Sequence, residues 1–397
     1  MCPSSTSSSN GRAVRGFALR VLVFLVPLAL AAAPFEIILW RSGECWPARR
    51  AADAMSKDGR ALYMRRYFSQ QFTLYKSEMI RRRSPDLVIL GSSRVWQFRS
   101  FMFHPIEERA FNAGGLTQSV RDLESYADWV LRGKIPRPRV VILGVDPWWV
   151  KRAEGDTPVD RNREWDEGYR PVAHFDGIRN MILGGRIPWS LVLHRPKSIS
   201  ENFHPLGLAA VQDGVGFRND GSYFCGEAIL EEFRTTRAFR DRLGVAGHIL
   251  AMTSQFTPSP GIDWSRVDRL VESLRRLRAA GIEIHLFLPT FSEEAATAFR
   301  TSPGLGTWWN EYVESFPAFM AKAGFPCLKA LTPSTYGLDD TCMIDGYHPG
   351  ELLVSYIVED LIRRAPAGSL LSELDIGHLK YLRTREGAMP LALRGGE

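Results

Sequence analysis

The sequence Pro85-Asp86-Leu87-Val88-Ile89-Leu90-Gly91-Ser92-Ser93-Arg94 joins a short apolar run to a turn that presents serine. Four consecutive apolar residues are typical of a strand buried on both faces of a parallel sheet, and Gly91 ends the run at a sharp turn. Ligands bind beyond the carboxyl ends of such strands, so a nucleophile is expected in a turn of this kind. Many strands also end in Gly-Ser turns for conformational reasons alone, and both interpretations are open from the motif by itself.

Apolar runs and helical periods alternate through much of the remaining chain. After the first strand, 107–112 leads into a second short strand that ends at Ala113-Gly114-Gly115. The pattern continues with a helix at 119–131, a strand at 139–143, a helix at 267–280, a strand at 282–288, a helix at 308–323, a strand at 325–328 and a helix at 351–363. This alternation predicts an α/β protein with a parallel sheet. Residues 148–263 interrupt it and are predicted to form a long insertion.

The composition, charge and motifs of the chain exclude several classes of function. With 397 residues, 45% hydrophobic and 24% charged, the chain can bury a full core. The net charge of +6 is spread along the chain, and no basic stripe with interleaved aromatic residues suggests nucleic-acid binding. No glycine-rich nucleotide motif and no paired histidine spacing occurs, so no cofactor and no metal are expected.

The first forty residues predict a membrane segment. Arg12, Arg15 and Arg20 precede an apolar stretch that runs through 21–33 and on to Trp40. Basic residues before the stretch keep the amino terminus in the cytoplasm and export the chain beyond Trp40. The Ala31-Ala32-Ala33 run suits a signal peptidase, whereas the apolar continuation to Trp40 favours an uncleaved anchor. Glu36 is the one charged residue within this region and is expected near the far interface.

Four cysteines come after the predicted anchor, in an oxidising compartment if the chain is exported. They are Cys45, Cys225, Cys327 and Cys342, which allow three pairings. Cys327 and Cys342 flank the loop that leads to His348. One hypothesis is that they form a disulfide that braces this loop, and the other is that they are free and buried.

The turns after successive strands resemble a known set of motifs. Gly91-Ser92-Ser93 after the first strand, Gly114 or Gly115 after the second, Gly144-Val145-Asp146 after the third, and Asp345 with His348 before the last helix resemble, in order, the signature blocks of the SGNH (GDSL-type) hydrolases. The resemblance implies a three-layer α/β/α, flavodoxin-like parallel sheet. It also implies that Ser93 is the nucleophile, His348 the base and Asp345 the residue that orients it.

A serine, a histidine and an aspartate can together carry out nucleophilic catalysis. A serine hydroxyl needs an imidazole within hydrogen-bond reach to remove its proton, and the imidazole needs an oriented carboxylate. Asp345 and His348 are three residues apart, a spacing that allows both to point into one crevice. Backbone N–H groups of Ser93 and of Gly114 or Gly115 are the expected oxyanion-hole donors.

One residue departs from the family pattern. The third block normally offers an asparagine that donates to the oxyanion, but this chain has Asp146 followed by Pro147. An ionised aspartate only accepts hydrogen bonds, so the oxyanion site is expected to be one donor short. This favours a slow, specialised transferase, or a protein that keeps the fold without the chemistry. Arg94, Asp146 and Arg218 are the polar residues expected to contact substrate.

A short amino-terminal end, one anchor and a Gly-Ser-Ser strand end are similar to the membrane-tethered SGNH-like proteins that accompany membrane acyltransferases, including relatives of alginate O-acetylation and teichoic acid D-alanylation proteins. The resemblance implies a serine acyltransferase or esterase acting on O-acyl groups of a cell-envelope or extracellular polysaccharide, with a membrane-bound O-acyltransferase as a further partner. The alternative is an inactive glycan-binding or partner protein. The expected organisation is a cytoplasmic end (1–16), an inner-membrane anchor (17–40), a helical connector (41–84), a periplasmic SGNH-like domain (85–380) with the insertion, and a tail (381–397).

Overall fold

A computed structural model describes residues 8–68, 72–152, 171–198, 203–385 and 388–393. In chain order, the strands are β1 (Ala61–Tyr63), β2 (Leu87–Leu90), β3 (Ala110–Asn112), β4 (Val140–Gly144), β5 (His204–Leu206), β6 (Gly216–Phe217), β7 (Tyr223–Phe224), β8 (Glu283–Leu288) and β9 (Cys327–Lys329).

The helices are α1 (Ser8–Ser42), α2 (Ala48–Lys57), α3 (Phe72–Arg83), α4 (Val120–Leu131), α5 (Pro171–Leu183), α6 (Ser190–Leu193), α7 (Leu208–Asp213), α8 (Glu227–Thr236), α9 (Val245–Leu250), α10 (Trp264–Ala279), α11 (Glu293–Thr301), α12 (Gly306–Asn310), α13 (Phe316–Lys322), α14 (Glu351–Arg364) and α15 (Ile376–Thr384). A π-helical segment, Glu311–Ser315, joins α12 to α13.

A five-stranded parallel sheet in the order β3-β2-β4-β8-β9 forms the centre of the α/β unit. Alternate residues of β2 and β4 enter two different clusters of buried side chains, one that includes residues of α3, α4 and α10 and one that includes residues of α14 and α15. Both faces of the sheet are therefore covered, which explains why these strands read as unbroken apolar runs. The predicted parallel α/β sheet is confirmed.

A second, mixed sheet has the order β5-β1-β6-β7. Strand β1 pairs in parallel with β5 and antiparallel with β6, so a segment before the first strand of the main sheet pairs with strands from 148–263. The sequence predicts a helical connector at 41–84, but this connector contains a strand between its two helices. Each strand of the second sheet has only two or three residues, too few to show a period-2 pattern.

Helix α1 is the one described helix long and apolar enough to cross a membrane, over residues Val14–Ser42. Its carboxyl end is packed on the rest of the chain, since Ile38 and Leu39 are fully buried with Met181, Leu191 and Leu208. Glu36, near this end of α1, pairs with His174 at 2.8 Å.

The chain leaves α1 through a turn that is held by one buried carboxylate. Glu44 is fully buried, and its Oε1 accepts the backbone N–H groups of Arg66, Tyr67 and Phe68 at 2.6 to 3.0 Å. Its Oε2 accepts the N–H of Leu208 at 2.7 Å. The end of α1, the connector and the insertion are thus joined at a single side chain.

The last part of the chain is also packed. Helix α15 runs to Thr384, so the predicted boundary between domain and tail at 380 falls inside a helix. Beyond it, Leu391 and Leu393 are buried, and the N–H of Leu393 donates to Glu351 at 2.7 Å.

Candidate active site

The turn after β2 places Ser93 at the carboxyl edge of the main sheet. Gly91 has a φ of +148°, and a Cβ there would lie 2.8 Å from the Val95 side chain and 3.2 Å from the carbonyl oxygen of Gly144. The side-chain oxygen of Ser92 accepts the N–H of Arg94 at 3.3 Å and caps the 3₁₀ turn Ser93–Val95. Ser92 is buried in this role, whereas Ser93 is partly exposed.

The loop before α14 carries the acid and the base. Asp345 Oδ1 accepts the backbone N–H groups of Tyr347 at 3.1 Å and His348 at 3.0 Å, which curls the loop back on itself. Asp345 Oδ2 lies 2.8 Å from His348 Nδ1. The loop is closed by the N–H of Ile344, which donates to the carbonyl oxygen of His348 at 2.8 Å.

The structure brings the three predicted catalytic residues together. His348 Nε2 lies 2.8 Å from Ser93 Oγ, within the range for proton transfer between a nucleophile and its base. Because an ionised carboxylate can only accept, Nδ1 carries the imidazole hydrogen and Nε2 is left to accept from the serine hydroxyl. This is the arrangement of a Ser-His-Asp triad.

Asp345 is held in its ionised form. Burial by itself raises the pKa of this carboxyl, but the charge and the hydrogen bond of His348, together with the two backbone N–H groups, outweigh that effect. The pKa of Asp345 therefore lies below its ordinary value of 3.8. A carboxylate that stays ionised keeps His348 in one tautomer and stabilises the imidazolium that forms when the serine gives up its proton.

Aromatic rings enclose the imidazole. The Tyr347 ring lies 4.4 Å from that of His348, and the Trp96 ring lies 6.3 Å away and nearly parallel, at 12°. Trp96 in turn contacts Tyr223 of β7, with ring centroids 4.7 Å apart, and its carbonyl oxygen accepts the N–H of Tyr223 at 2.9 Å. The insertion therefore contributes to the surroundings of the site. No sequence pattern indicates that Trp96 and Tyr223 meet, because they belong to distant segments.

The glycines after β3 do not offer free donors. The N–H of Gly114 donates to the side-chain oxygen of Asn112 at 2.8 Å, and the N–H of Gly115 donates to the carbonyl oxygen of Gly91 at 2.7 Å. The predicted oxyanion donors of this loop are thus engaged with acceptors of the protein itself. In the described part of the chain no acceptor receives the N–H of Ser93, which is the remaining candidate donor.

Asn112 is a residue that sequence reasoning missed. Its Nδ2 donates to the carbonyl oxygens of Val95 at 2.7 Å and Phe98 at 2.9 Å, so one buried side chain joins the end of β3 to the turn that carries the nucleophile. An asparagine at a strand end is common, and its partners lie 14 and 17 residues away, so no local pattern indicated this role.

Arg94 and Asp146 were expected to contact substrate, but both are fully buried beneath the site. Arg94 Nη1 donates to Asp146 Oδ1 at 3.0 Å, and the same guanidinium donates to the carbonyl oxygens of Tyr347 at 3.2 Å and Thr290 at 2.6 Å. Its planar group also lies 3.7 Å from the centre of the Phe291 ring. Arg94 thus fixes the histidine loop relative to the ends of β4 and β8. It acts as a positioning residue.

Burial has the largest effect on the pKa values of Arg94 and Asp146. Burial raises the pKa of the Asp146 carboxyl above its ordinary 3.8, and the charge of Arg94 and the Ser92 side chain offset this only in part. Burial likewise lowers the pKa of Arg94. The Asp146 side chain faces the guanidinium and is out of solvent.

Arg218, which was also expected to contact substrate, is engaged by groups of the protein itself. It lies 3.7 Å from Glu351 at the first turn of α14, and it donates to the carbonyl oxygen of Tyr223 at 2.9 Å. Arg99 completes the network by pairing with Glu351 at 2.9 Å and Asp220 at 3.3 Å. Burial and the charge of Arg99 lower the pKa of Arg218 to about 10. The turn around Arg218 thus directs its polar side chains inwards.

The four cysteines in the described part of the chain are free thiols. Cys45, Cys225, Cys327 and Cys342 form no disulfide, so the hypothesis of a Cys327–Cys342 bridge is wrong in this structure. Burial raises the pKa of Cys327 and of Cys342 to about 12 each, which leaves both unreactive. Within the described ranges, no three His, Cys, Asp or Glu side chains group closely enough to hold a metal ion.

No protein-family model, no curated protein and no solved structure matches this chain. The activity of the chain is therefore inferred from the chemistry of its own side chains.

Proposed function

We propose that this protein is an exported, membrane-anchored serine acyltransferase or esterase that acts on O-acyl groups, most simply O-acetyl groups, of a cell-envelope or extracellular polysaccharide. One observation carries the proposal: Ser93 Oγ and Asp345 Oδ2 each lie 2.8 Å from opposite nitrogens of the His348 ring. A hydroxyl, an imidazole and an ionised carboxylate in that order form the machinery of acyl transfer through a covalent intermediate.

The steps follow from the geometry. Ser93 Oγ attacks the acyl carbonyl carbon as its proton passes to His348 Nε2, and a tetrahedral oxyanion forms. The C–O bond to the leaving alcohol then breaks, and the alcohol takes the proton from the imidazolium, which leaves the acyl group as an ester of Ser93. A sugar hydroxyl or water attacks that ester while His348 removes its proton, and collapse returns the free serine and releases a new ester or a carboxylic acid.

The surrounding fold supports an SGNH-like, three-layer interpretation. The nucleophile comes after a central strand of a parallel sheet that has buried clusters on both faces, and the acid and base precede α14. An apolar helical segment with Arg12, Arg15 and Arg20 before it supports a periplasmic position at the inner membrane. A membrane enzyme that supplies the acyl donor would fit this location, with a membrane-bound O-acyltransferase as the proposed partner.

One observation favours a second candidate, an inactive glycan-binding or acyltransferase-partner protein. The N–H groups of Gly114 and Gly115 are engaged within the protein, and Asp146 offers no amide in place of the family's asparagine. Loss of one oxyanion donor typically lowers the rate by about 10²- to 10³-fold. The active hypothesis accordingly predicts a slow enzyme.

Fluorophosphonate labelling of the purified full-length chain separates the two candidates. Labelling is expected in the wild type, is expected to vanish in Ser93→Ala and His348→Ala, and is expected to persist in Ser92→Ala, the matched control at the neighbouring buried serine. Release of acetate from an aryl acetate is expected to fall by about 10³-fold or more in the first two variants. An unlabelled, inactive wild type whose Ser93→Ala variant still complements a deletion strain would establish the inactive candidate.

A second assay separates transferase from esterase. An aryl acetate is supplied as donor together with a polysaccharide from which O-acetyl groups have been removed. Acetyl esters are expected on the polysaccharide if a sugar hydroxyl is the acceptor, and free acetate alone is expected if water is.

A further inference from the structure

Helices α5 and α6 pack against the carboxyl end of α1. The rings of Phe35 and Trp189 lie 5.5 Å apart, and Arg41 donates to the carbonyl oxygens of Leu191 and Val192 at 3.3 and 3.0 Å. With the buried cluster around Ile38 and Leu39, these contacts fix the two short helices to the last turns of α1.

The length of α1 fixes the depth of these contacts in a bilayer. At about 1.5 Å per residue, residues 17–36, counted from the start of the predicted anchor, span about 30 Å, the thickness of the hydrocarbon core. The large apolar side chains from Phe17 to Leu30 are exposed, as lipid contact requires. The contacts with α5 and α6 begin at Phe35 and Glu36, so both helices lie at the level of the lipid headgroups if α1 crosses the membrane.

At that level, α5, α6 and the loop between them present apolar side chains outwards. Five large hydrophobic residues here are 50% to 78% exposed; they are Phe175, Ile182, Leu183, Trp189 and Leu193, and together they are called the apolar patch below. Singly exposed apolar residues are ordinary on a protein surface, but five within a segment of this length are not.

Cationic side chains border the apolar patch. Arg179, Arg186, Arg195 and Lys197 are all exposed, and Arg41 extends from α1 beside them. Arg179 pairs with Asp176 and Arg186 with Asp213, so the charges of Arg195, Lys197 and Arg41 carry the argument. Tryptophan with leucine and phenylalanine on one side and arginine and lysine on the other is typical of segments that lie in the interface of an anionic membrane.

We propose that the apolar patch is inserted in the outer leaflet of the membrane that α1 crosses, so that the domain has a second, monotopic attachment beside its anchor. The inference rests on the proposed anchorage and is independent of catalysis. Lipid is the expected occupant because the apolar patch is continuous with the lipid-facing helix and has the charge that anionic headgroups attract. Two attachments hold the domain in one orientation, and hence hold the triad at a fixed height above the bilayer.

Lipid quenching tests this in the full-length protein, reconstituted in nanodiscs of phosphatidylethanolamine and phosphatidylglycerol that carry a nitroxide on the acyl chain. An environment-sensitive fluorophore is attached at Leu183→Cys and Leu193→Cys in separate variants. Leu25→Cys on α1 is the lipid-exposed reference, and Tyr381→Cys on α15 is the exposed control outside the apolar patch. The unsubstituted protein measures labelling of native cysteines.

Labels at 183 and 193 are expected to lose most of their fluorescence to the nitroxide lipid, as the label at 25 does, and to be protected from aqueous iodide, whereas the label at 381 shows the reverse. If the label at 25 is quenched but the labels at 183 and 193 remain accessible to iodide, α1 crosses the membrane but the apolar patch is not inserted in lipid, and the proposal is overturned. The apolar patch would then bind a membrane-embedded protein. If 25 is not quenched either, the anchorage fails and this inference fails with it. Fluorophosphonate labelling of Ser93 bears on neither result.

Discussion

At the residue scale, the sequence and the structure predict different effects of substituting Asp146. The resemblance of the sequence to SGNH hydrolases suggests that Asp146→Asn would supply an oxyanion donor and raise the rate. In the structure the side chain is fully buried against Arg94, so we expect no gain in aryl acetate hydrolysis. We expect instead a loss of about 3–5 kcal/mol of stability, because the variant leaves a buried guanidinium without its counter-charge.

The control for this variant is the same substitution at an exposed pair. Asp86 lies 2.7 Å from Arg109, with side chains 29% and 51% exposed, and Asp86→Asn should cost less than about 1 kcal/mol. Urea unfolding of both variants in detergent gives the comparison. Similar small losses of stability in the two variants would mean that the buried Arg94 guanidinium does not need Asp146 as its counter-charge. Faster hydrolysis by Asp146→Asn would mean that the side chain at position 146 reaches the oxyanion.

The acid stability of the triad depends on Asp345. Its pKa is lower in the folded chain than its ordinary 3.8, so its stabilising contribution is complete above that value and is lost as the pH falls through the folded-state pKa. The stability difference between wild type and Asp345→Asn should therefore shrink as the pH falls below about pH 4. Urea unfolding at stepped pH measures it, and a difference that already shrinks near about pH 6 would show that the folded-state pKa is raised.

At the scale of elements, the turn between β6 and β7 packs closely against the end of β3. Gly221 has a φ of +81°, and a Cβ on it would overlap the carbonyl oxygen of Asn112. Lys76 on α3, whose pKa is lowered by burial, donates to that oxygen at 2.9 Å and also to the carbonyl oxygen of Gly221. The second sheet is thereby joined to the main one beside the nucleophile turn.

Gly221→Ala is expected to cost about 3–5 kcal/mol, because the backbone clash adds to the strain of a left-handed conformation. Gly281→Ala is the matched control, since Gly281 has nearly the same φ, +83°, with nothing within 4 Å of the added Cβ. It should cost only about 1–2 kcal/mol. The urea unfolding midpoints of the two variants measure this difference. Equal losses of stability would mean that only the left-handed backbone conformation is costly, and that the turn moves away from β3 to admit the Cβ.

The sequence predicted the elements whose signal is local. β2, β4 and β8 are apolar runs beside helical periods, and the triad residues lie in two short motifs whose order along the chain suggested one site. β1 and β5 to β7 were not predicted, because Tyr63 finds its partner in Phe217 and nothing near either residue indicates the other. Arg94, Asn112 and Lys76 were missed or misassigned for the same reason, since their roles come from partners in distant segments.

At the scale of the whole molecule, α1 is part of the packed structure and not only a tether. Ile38 and Leu39 are fully buried against residues of α5, α6 and α7, while the neighbouring Ile37 is 37% exposed. Glu44 then fixes the following turn with hydrogen bonds to four backbone N–H groups. The orientation of the domain is thereby coupled to the direction of α1.

Ile38→Ala in the full-length chain tests this coupling. The change removes a buried side chain and should cost about 2–5 kcal/mol locally, whereas Ile37→Ala should cost less than about 1 kcal/mol. Because α5 and α6 pack on this part of α1, their detachment should expose the loop between them, and trypsin should cut after Arg186 faster in Ile38→Ala than in Ile37→Ala. Equal cleavage rates would mean that α5 and α6 hold their place without α1. In the proposed membrane anchorage, α1 would then be only a flexible connection, and the apolar patch alone would set the height of Ser93 above the bilayer.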